Sequence, residues 1–160
     1  MRILVLGLGN DIYGDDGVGH HAVRRLKKEL GKEDLQGQGS PEIDCVASPL
    51  TGIALLDVMV GYDALVVVDA IKLPDPVTGR IHILEETDLR DLPGPSPHYI
   101  SLPQTIRLGR GLGLKVPDAV KIIAVEAKNI YNLGEGLSED MERCLPDIVR
   151  KIKNVLKDIP

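Results

Sequence analysis

The chain has 160 residues, with 24 acidic against 19 basic side chains and a formal net charge of −5. That balance leaves no basic field for a phosphate backbone, so nucleic acid is excluded as a partner, and the length suits one domain rather than two. With no Phe, no Trp and only four Tyr, the core has to be built from Leu, Ile, Val and Ala.

The N-terminus opens on RILVLGL, a continuous apolar run of strand length that reads as a strand covered on both faces. The run is too short, and too soon followed by acids, for a signal peptide or a membrane span, so a cytoplasmic protein without a membrane partner is expected. Next comes an acidic loop, GNDIYGDD, and then GVGHHAVRRLKKELG, with Val18, Ala22, Leu26 and Leu30 at steps of four and Gly31 at the C-terminal stop. Asp15 reads as the residue that begins this helix, serving its cap and dipole.

KEDLQGQGSPE has no periodicity and reads as a surface connection before a second strand, EIDCVAS. Ser48 or Thr51 is placed to cap a short helix over TGIALLDVMVG. DALVVVDAI, with three consecutive valines, predicts a third strand that ends at Asp69. RIHILEE alternates as an edge or hairpin strand, with His82 on the face opposite Ile81 and Ile83. His21 and His82 read as surface residues.

DLPGPSPHYISLP is a long proline-rich loop that contains His98, and long loops in compact domains are often functional. A helix over PQTIRLGRGLG, a strand over VKIIAVEA and a C-terminal helix over SEDMERCLPDIVRKIKNVLKD follow, the last kinked or interrupted at Pro146. The two cysteines, Cys45 and Cys144, form no C-x-x-C pair, and each reads as a free, buried thiol. The alternation predicts an α/β domain of three layers over 1–160, with a mostly parallel five-stranded sheet, helices on both faces and one edge or antiparallel strand. Ligands of such sheets sit at the carboxyl ends of the strands.

Dinucleotide binding fails as a reading of GLGNDI. The third glycine of that fingerprint falls on Ile12, strand two ends near Ser48 rather than on a ribose-binding acid, and Asp15 and Asp16 occupy the helix N-terminus a pyrophosphate would need. A metal site fits better. Asp16 follows strand one, Asp69 closes strand three and His98 lies in the proline-rich loop, an N,O set suited to Zn²⁺ or Ni²⁺ with positions left open. Each residue also has a structural reading: Asp16 as a helix cap, Asp69 as the first residue of a loop, His98 as an ordinary loop histidine. His20, four residues from Asp16, competes as a ligand. H-E-x-x-H and G-x-S-x-G are absent, and Leu50 stands where an aspartic-protease D-T-G needs its acid, so hydrolysis would have to rely on a metal.

Taken together, GLGNDIYGDDGVG, VVVDA, the histidine in SPHYISLP and the late GEGLS resemble the maturation endopeptidases of nickel-iron hydrogenases, in the right order and over nearly the whole chain. The resemblance implies a mixed five-stranded sheet between helices. It also implies an aspartic-type endopeptidase that removes a C-terminal extension from the hydrogenase large-subunit precursor after nickel insertion. The family's two acids and its histidine fall on Asp16, Asp69 and His98. They would be both the metal ligands and the catalytic set, reading Ni²⁺ supplied by the precursor, with Zn²⁺ or Cd²⁺ as surrogates and no other cofactor. A monomer is expected. In the loop after strand two, where the family usually has an aspartate and glycines, this chain reads SPLTG, with Ser48 at the acid's place. Two other readings stay open: a precursor-binding checkpoint that does not cut, and a metal-dependent hydrolase of small molecules.

Overall fold

The computed structural model describes residues 1–31, 39–90 and 102–160, residues 89 and 90 by their backbone alone. Five strands, β1 (Arg2–Leu8), β2 (Glu42–Ser48), β3 (Ala64–Ile71), β4 (Ile81–Glu85) and β5 (Ala119–Glu126), form one sheet in the order β2-β1-β3-β5-β4. The first four of that order are mutually parallel, and β4 closes the edge antiparallel to β5. The expected mixed sheet is therefore present, and RIHILEE is its edge strand.

All eight residues of β3 are buried, which is why its sequence is unbroken by polar groups until Asp69. Alternation sorts them. Ala64, Val66, Val68 and Ala70 face a cluster with Val18, Ala22 and Leu26 of helix α1 (Val18–Leu30) and Ile148, Val149 and Ile152 of helix α4 (Glu139–Lys157). Leu65 and Val67 face a second cluster with Leu56 and Met59 of α2 (Leu56–Met59) and Leu102 and Ile106 of α3 (Leu102–Gly111). Full burial of each Val, Leu, Ile or Met among these contributes about 1.5–3 kcal/mol, so the two aliphatic layers carry the fold without large aromatics.

From β1 the chain passes through α1 to β2 on one side, and from β2 it passes through α2 to β3 on the other. The connections thus part between β1 and β3, the switch point where open α/β sheets form a crevice at their carboxyl ends. Glycine makes the crevice tight. A Cβ on Gly19 would lie 2.3 Å from the carbonyl oxygen of Val68 and 2.5 Å from that of Leu8, so the start of α1 rests directly on the ends of β3 and β1.

Several local expectations are corrected. β3 continues two residues past Asp69 to Ile71, because both residues still pair with β5. The short second helix begins as a 3-10 turn over Gly52–Leu55, and Thr51 makes no side-chain cap bond. α4 runs through Pro146 without interruption. Pro146 lies on the exposed side of the helix, where water can take the carbonyl that its missing N–H leaves. Cys45 and Cys144 are free but only half-buried, since β2 is an edge strand and Cys144 flanks the buried stripe of α4. Burial still pushes the Cys45 thiol up to about 11. Among the described residues, no helix is long and apolar enough to cross a membrane.

Candidate active site

The segment after β1 turns back on itself at Gly9, whose φ of +127° favours glycine and whose absent Cβ would lie 2.0 Å from the carbonyl oxygen of Asp16. The chain then winds through a 3-10 turn, Gly14–Gly17, before α1. Asp16, only 6% exposed, points its carboxylate back toward β1, where Oδ2 accepts the Asn10 N–H at 2.8 Å. Asp69 is fully buried (0% exposed), and its Oδ1 accepts the Ala70 N–H at 2.8 Å. Because Gly7 pairs with Val68, Asp69 begins where β1 gives way to the segment bearing Asp16. Both acids therefore stand on one rim, flanking the switch point. His98 lies outside the described residues.

The other acid of the DD pair does something the sequence reading did not anticipate. Asp15 does not cap its own helix, whose N-cap is Gly17 without a side-chain bond. Its carboxylate instead accepts from the backbone N–H and the hydroxyl of Ser138, both at 2.7 Å. Ser138 in turn caps α4 by accepting the Met141 N–H. GEGLS is thus tied to GDD: Gly14 donates to the carbonyl of Gly134, and Gly134 donates to that of Ile12, both at 2.9 Å.

His20 is buried too, but it is not a partner of Asp16. Its Nδ1 meets Asp11 Oδ1 and its Nε2 meets the carbonyl oxygen of Ser48, each at 3.0 Å. Asp11 also accepts from Arg24 at 2.7 Å. Partial burial pushes the Asp11 carboxyl up, but Arg24 and His20 outweigh it and hold it below the usual carboxylate range. Ser48 Oγ accepts the Leu50 N–H at 3.2 Å, the turn-forming bond an aspartate would make there, so the serine retains the turn and drops the charge.

The sequence reading passed over Glu126 and underrated His82. Glu126 ends β5 as Asp69 nearly ends β3, an acid closing a run of aliphatic residues, and that shared signal was its clue. It is 2% exposed, accepts the Val77 N–H at 2.7 Å, pairs with His82 Nε2 at 2.7 Å and lies 3.6 Å from Arg80. Burial pushes its carboxyl up, yet the Val77 N–H, His82 and Arg80 together hold it below the ordinary glutamate range. This acid fastens the β3–β4 connection and the edge strand. His82 is accordingly half-buried in that pair rather than a free surface residue. Among the described residues, no three His, Cys, Asp or Glu side chains cluster as a metal site.

The rim is also apolar where it meets solvent. Ile12, Leu50, Ile53 (65% exposed) and Leu133 (77% exposed) all lie in the connections that follow parallel strands, Ile53 within the 3-10 turn after β2.

Comparison with known proteins decides the family. A family model described as hydrogenase maturation protease matches residues 21–155, well over half of the chain. The chain belongs to the hydrogenase maturation protease family. It is a peptidase by that membership. The hydrogenase 2 maturation protease of Escherichia coli (strain K12) is 24% identical over 160 residues, covering 99% of this chain and 92% of the relative. Among solved structures, the hydrogenase maturating endopeptidase HybD from E. coli superposes with a TM-score of 0.75 at 24% identity, covering 99% of this chain and 93% of that one. The [NiFe] hydrogenase maturation protease HybD from Thermococcus kodakarensis gives a TM-score of 0.72 at 21% identity, covering 98% and 99%. These likenesses carry the fold: the α/β sheet with one antiparallel edge that the maturation proteases share is the sheet described above. The matched range contains Asp69 and His98 but begins after Asp16.

Proposed function

We propose that this maturation protease removes the C-terminal extension of a nickel-iron hydrogenase large-subunit precursor after nickel insertion, using the nickel carried by the precursor as its recognition mark. The observation that carries the reading is the pair of buried aspartates, Asp16 and Asp69, on the rim of the switch point in a chain of this family. Each carboxylate is aimed by a backbone N–H, from Asn10 and Ala70, so their oxygens are set before any substrate arrives. Together with His98 they make an N,O donor set that suits Ni²⁺, and Zn²⁺ or Cd²⁺ as surrogates. Such an ion supplies Lewis acidity toward a carbonyl or a bound water. The residues of this chain orient the precursor's metal end and, through it, the segment to be cut.

Two further features support the reading, the first a polypeptide substrate and the second a nickel-iron hydrogenase. The exposed Ile12, Leu50, Ile53 and Leu133 around the rim suit a macromolecular surface better than a small solute. The Thermococcus kodakarensis neighbour carries the [NiFe] designation in its own name.

The test is incubation of the purified protein with nickel-loaded and nickel-free precursor, followed by intact-mass measurement. Loss of a C-terminal fragment from the nickel-loaded form alone is the expected result. Stable binding with no mass change would make the protein a checkpoint rather than a protease for this precursor, and cleavage of both forms would remove nickel from its recognition.

A further inference from the structure

We propose that His20 is a positioning residue of the active site: its buried ring locks the segment after β1, which carries Asp16, to the last residue of β2, from which the turn presenting Leu50 and Ile53 departs. The proposal rests on the functional reading above, since it concerns how that site is held in shape.

The geometry is specific. His20 sits on α1 one turn after Asp16 and is 4% exposed. Each ring nitrogen lies at hydrogen-bond distance from an oxygen, a carboxylate at Nδ1 and a main-chain carbonyl at Nε2, so both ends of the ring are engaged. The two acceptors lie in different segments, Asp11 in the loop after β1 and Ser48 at the last residue of β2, 37 positions apart in the chain. Ser48 is itself buried, and its hydroxyl shapes the turn that brings Leu50 and Ile53 outward. Asp11 is pinned from the other side by Arg24, at the same carboxylate. One imidazole thus ties β1's loop to the very end of β2, where the parallel pairing of the two strands stops at Leu8 and Ser48. Ile12 in the first of these segments and Ile53 in the turn after the second face solvent. The clamp therefore decides whether the rim acid and the apolar turn meet a precursor in one fixed relation.

The experiment compares kcat and KM for processing of nickel-loaded precursor, well below the melting temperature, in the wild type, His20→Ala, Asp11→Ala, Asp11→Asn and the His20→Ala/Asp11→Ala double variant. Asp11 is 39% exposed in its side chain, so its substitution leaves the core intact. Displacing reacting groups by about 1 Å can lower the rate about 100-fold, so kcat should fall roughly 10- to 100-fold in both alanine variants with KM little changed. The double variant should be no slower than the slower single one, because both remove the same clamp. Asp11→Asn keeps an acceptor oxygen for His20 and should recover most of the loss. Independently of cleavage, amide exchange at Leu50, in the other loop, should speed up in Asp11→Ala. Wild-type kcat in both alanine variants, losses that multiply in the double variant, or unchanged Leu50 exchange in Asp11→Ala would overturn the clamp. A wild-type protein that fails to cleave the precursor while Asp11→Ala still loosens Leu50 would count against the functional reading and leave the clamp standing.

Discussion

The carboxylate of Asp15 accepts both the backbone N–H and the hydroxyl of Ser138, across 123 positions of sequence, at 2.7 Å each. Two distant segments of the chain, GDD and GEGLS, are therefore one structural unit. The acid is buried, so the bonds are strong and their loss leaves a charge poorly solvated. Ser138→Ala should lose the α4 cap, about 1 kcal/mol, and one bond to a charged group, about 1.5–3 kcal/mol, lowering Tm by roughly 5 °C or more. Ser138→Asp separates the two roles. Aspartate is as good an N-cap as serine, but here it faces Asp15, so calorimetry should find this variant less stable than Ser138→Ala.

Asp16→Asn and Asp69→Asn retain an oxygen for the N–H groups of Asn10 and Ala70 while removing the charge. Each should lower precursor processing by more than the roughly 10- to 100-fold that outer-shell partners cost, with Tm within a few degrees of wild type. His98→Ala should behave likewise. If the Asp69 variant melts well below wild type yet still processes precursor, that acid serves the fold.

Glu126 makes stability depend on acidity in a defined direction. Its native carboxyl titrates below the ordinary glutamate value of about 4.3, so its contribution is complete above that value and is lost as pH falls through the lower native one. Glu126→Gln keeps an acceptor for Val77 but loses the pairs with His82 and Arg80. Thermal melts should show the variant less stable at neutral pH, with the gap closing as pH drops through the range below about 4.3.

Gly19→Ala tests the close approach at the switch point. The new methyl group would meet the Val68 and Leu8 carbonyl oxygens at 2.3 and 2.5 Å, so α1 must lift from the sheet and the chain should fold poorly. Gly111→Ala is the control: nothing lies within 4 Å of its added carbon, and helix propensity favours it by about 0.5–1 kcal/mol. Expression level and Tm of the two variants should diverge in opposite directions from wild type.

The proposed ligand set of Asp16, Asp69 and His98 lacks a thiolate and on that proposal binds a free divalent ion weakly, so protein purified without chelator should be largely metal-free by elemental analysis. Chelator should leave the melting curve unchanged. Dialysis-resistant, stoichiometric zinc together with cleavage of nickel-free precursor would point to an ordinary metallopeptidase.

What the sequence determined by itself follows from local periodicity and composition. β2, read as EIDCVAS, and α3, α4 and the edge strand β4 all appear within a few residues of their expected bounds, because aliphatic alternation and helical spacing act over short stretches. Asp16 and Asp69 were legible as rim acids because parallel topology sends every strand's carboxyl end to one side. Long-range partners were not legible. Whether Asp15 would cap its own helix or bind Ser138, whether His20 would face Asp16 or join Asp11 to the Ser48 carbonyl, and whether Glu126 would be exposed or hold Val77, His82 and Arg80 were decided only when distant segments met. A buried polar group takes whichever donor or acceptor the packed chain brings within about 3 Å, and that identity depends on crossovers and glycine-permitted close approaches that no local pattern encodes.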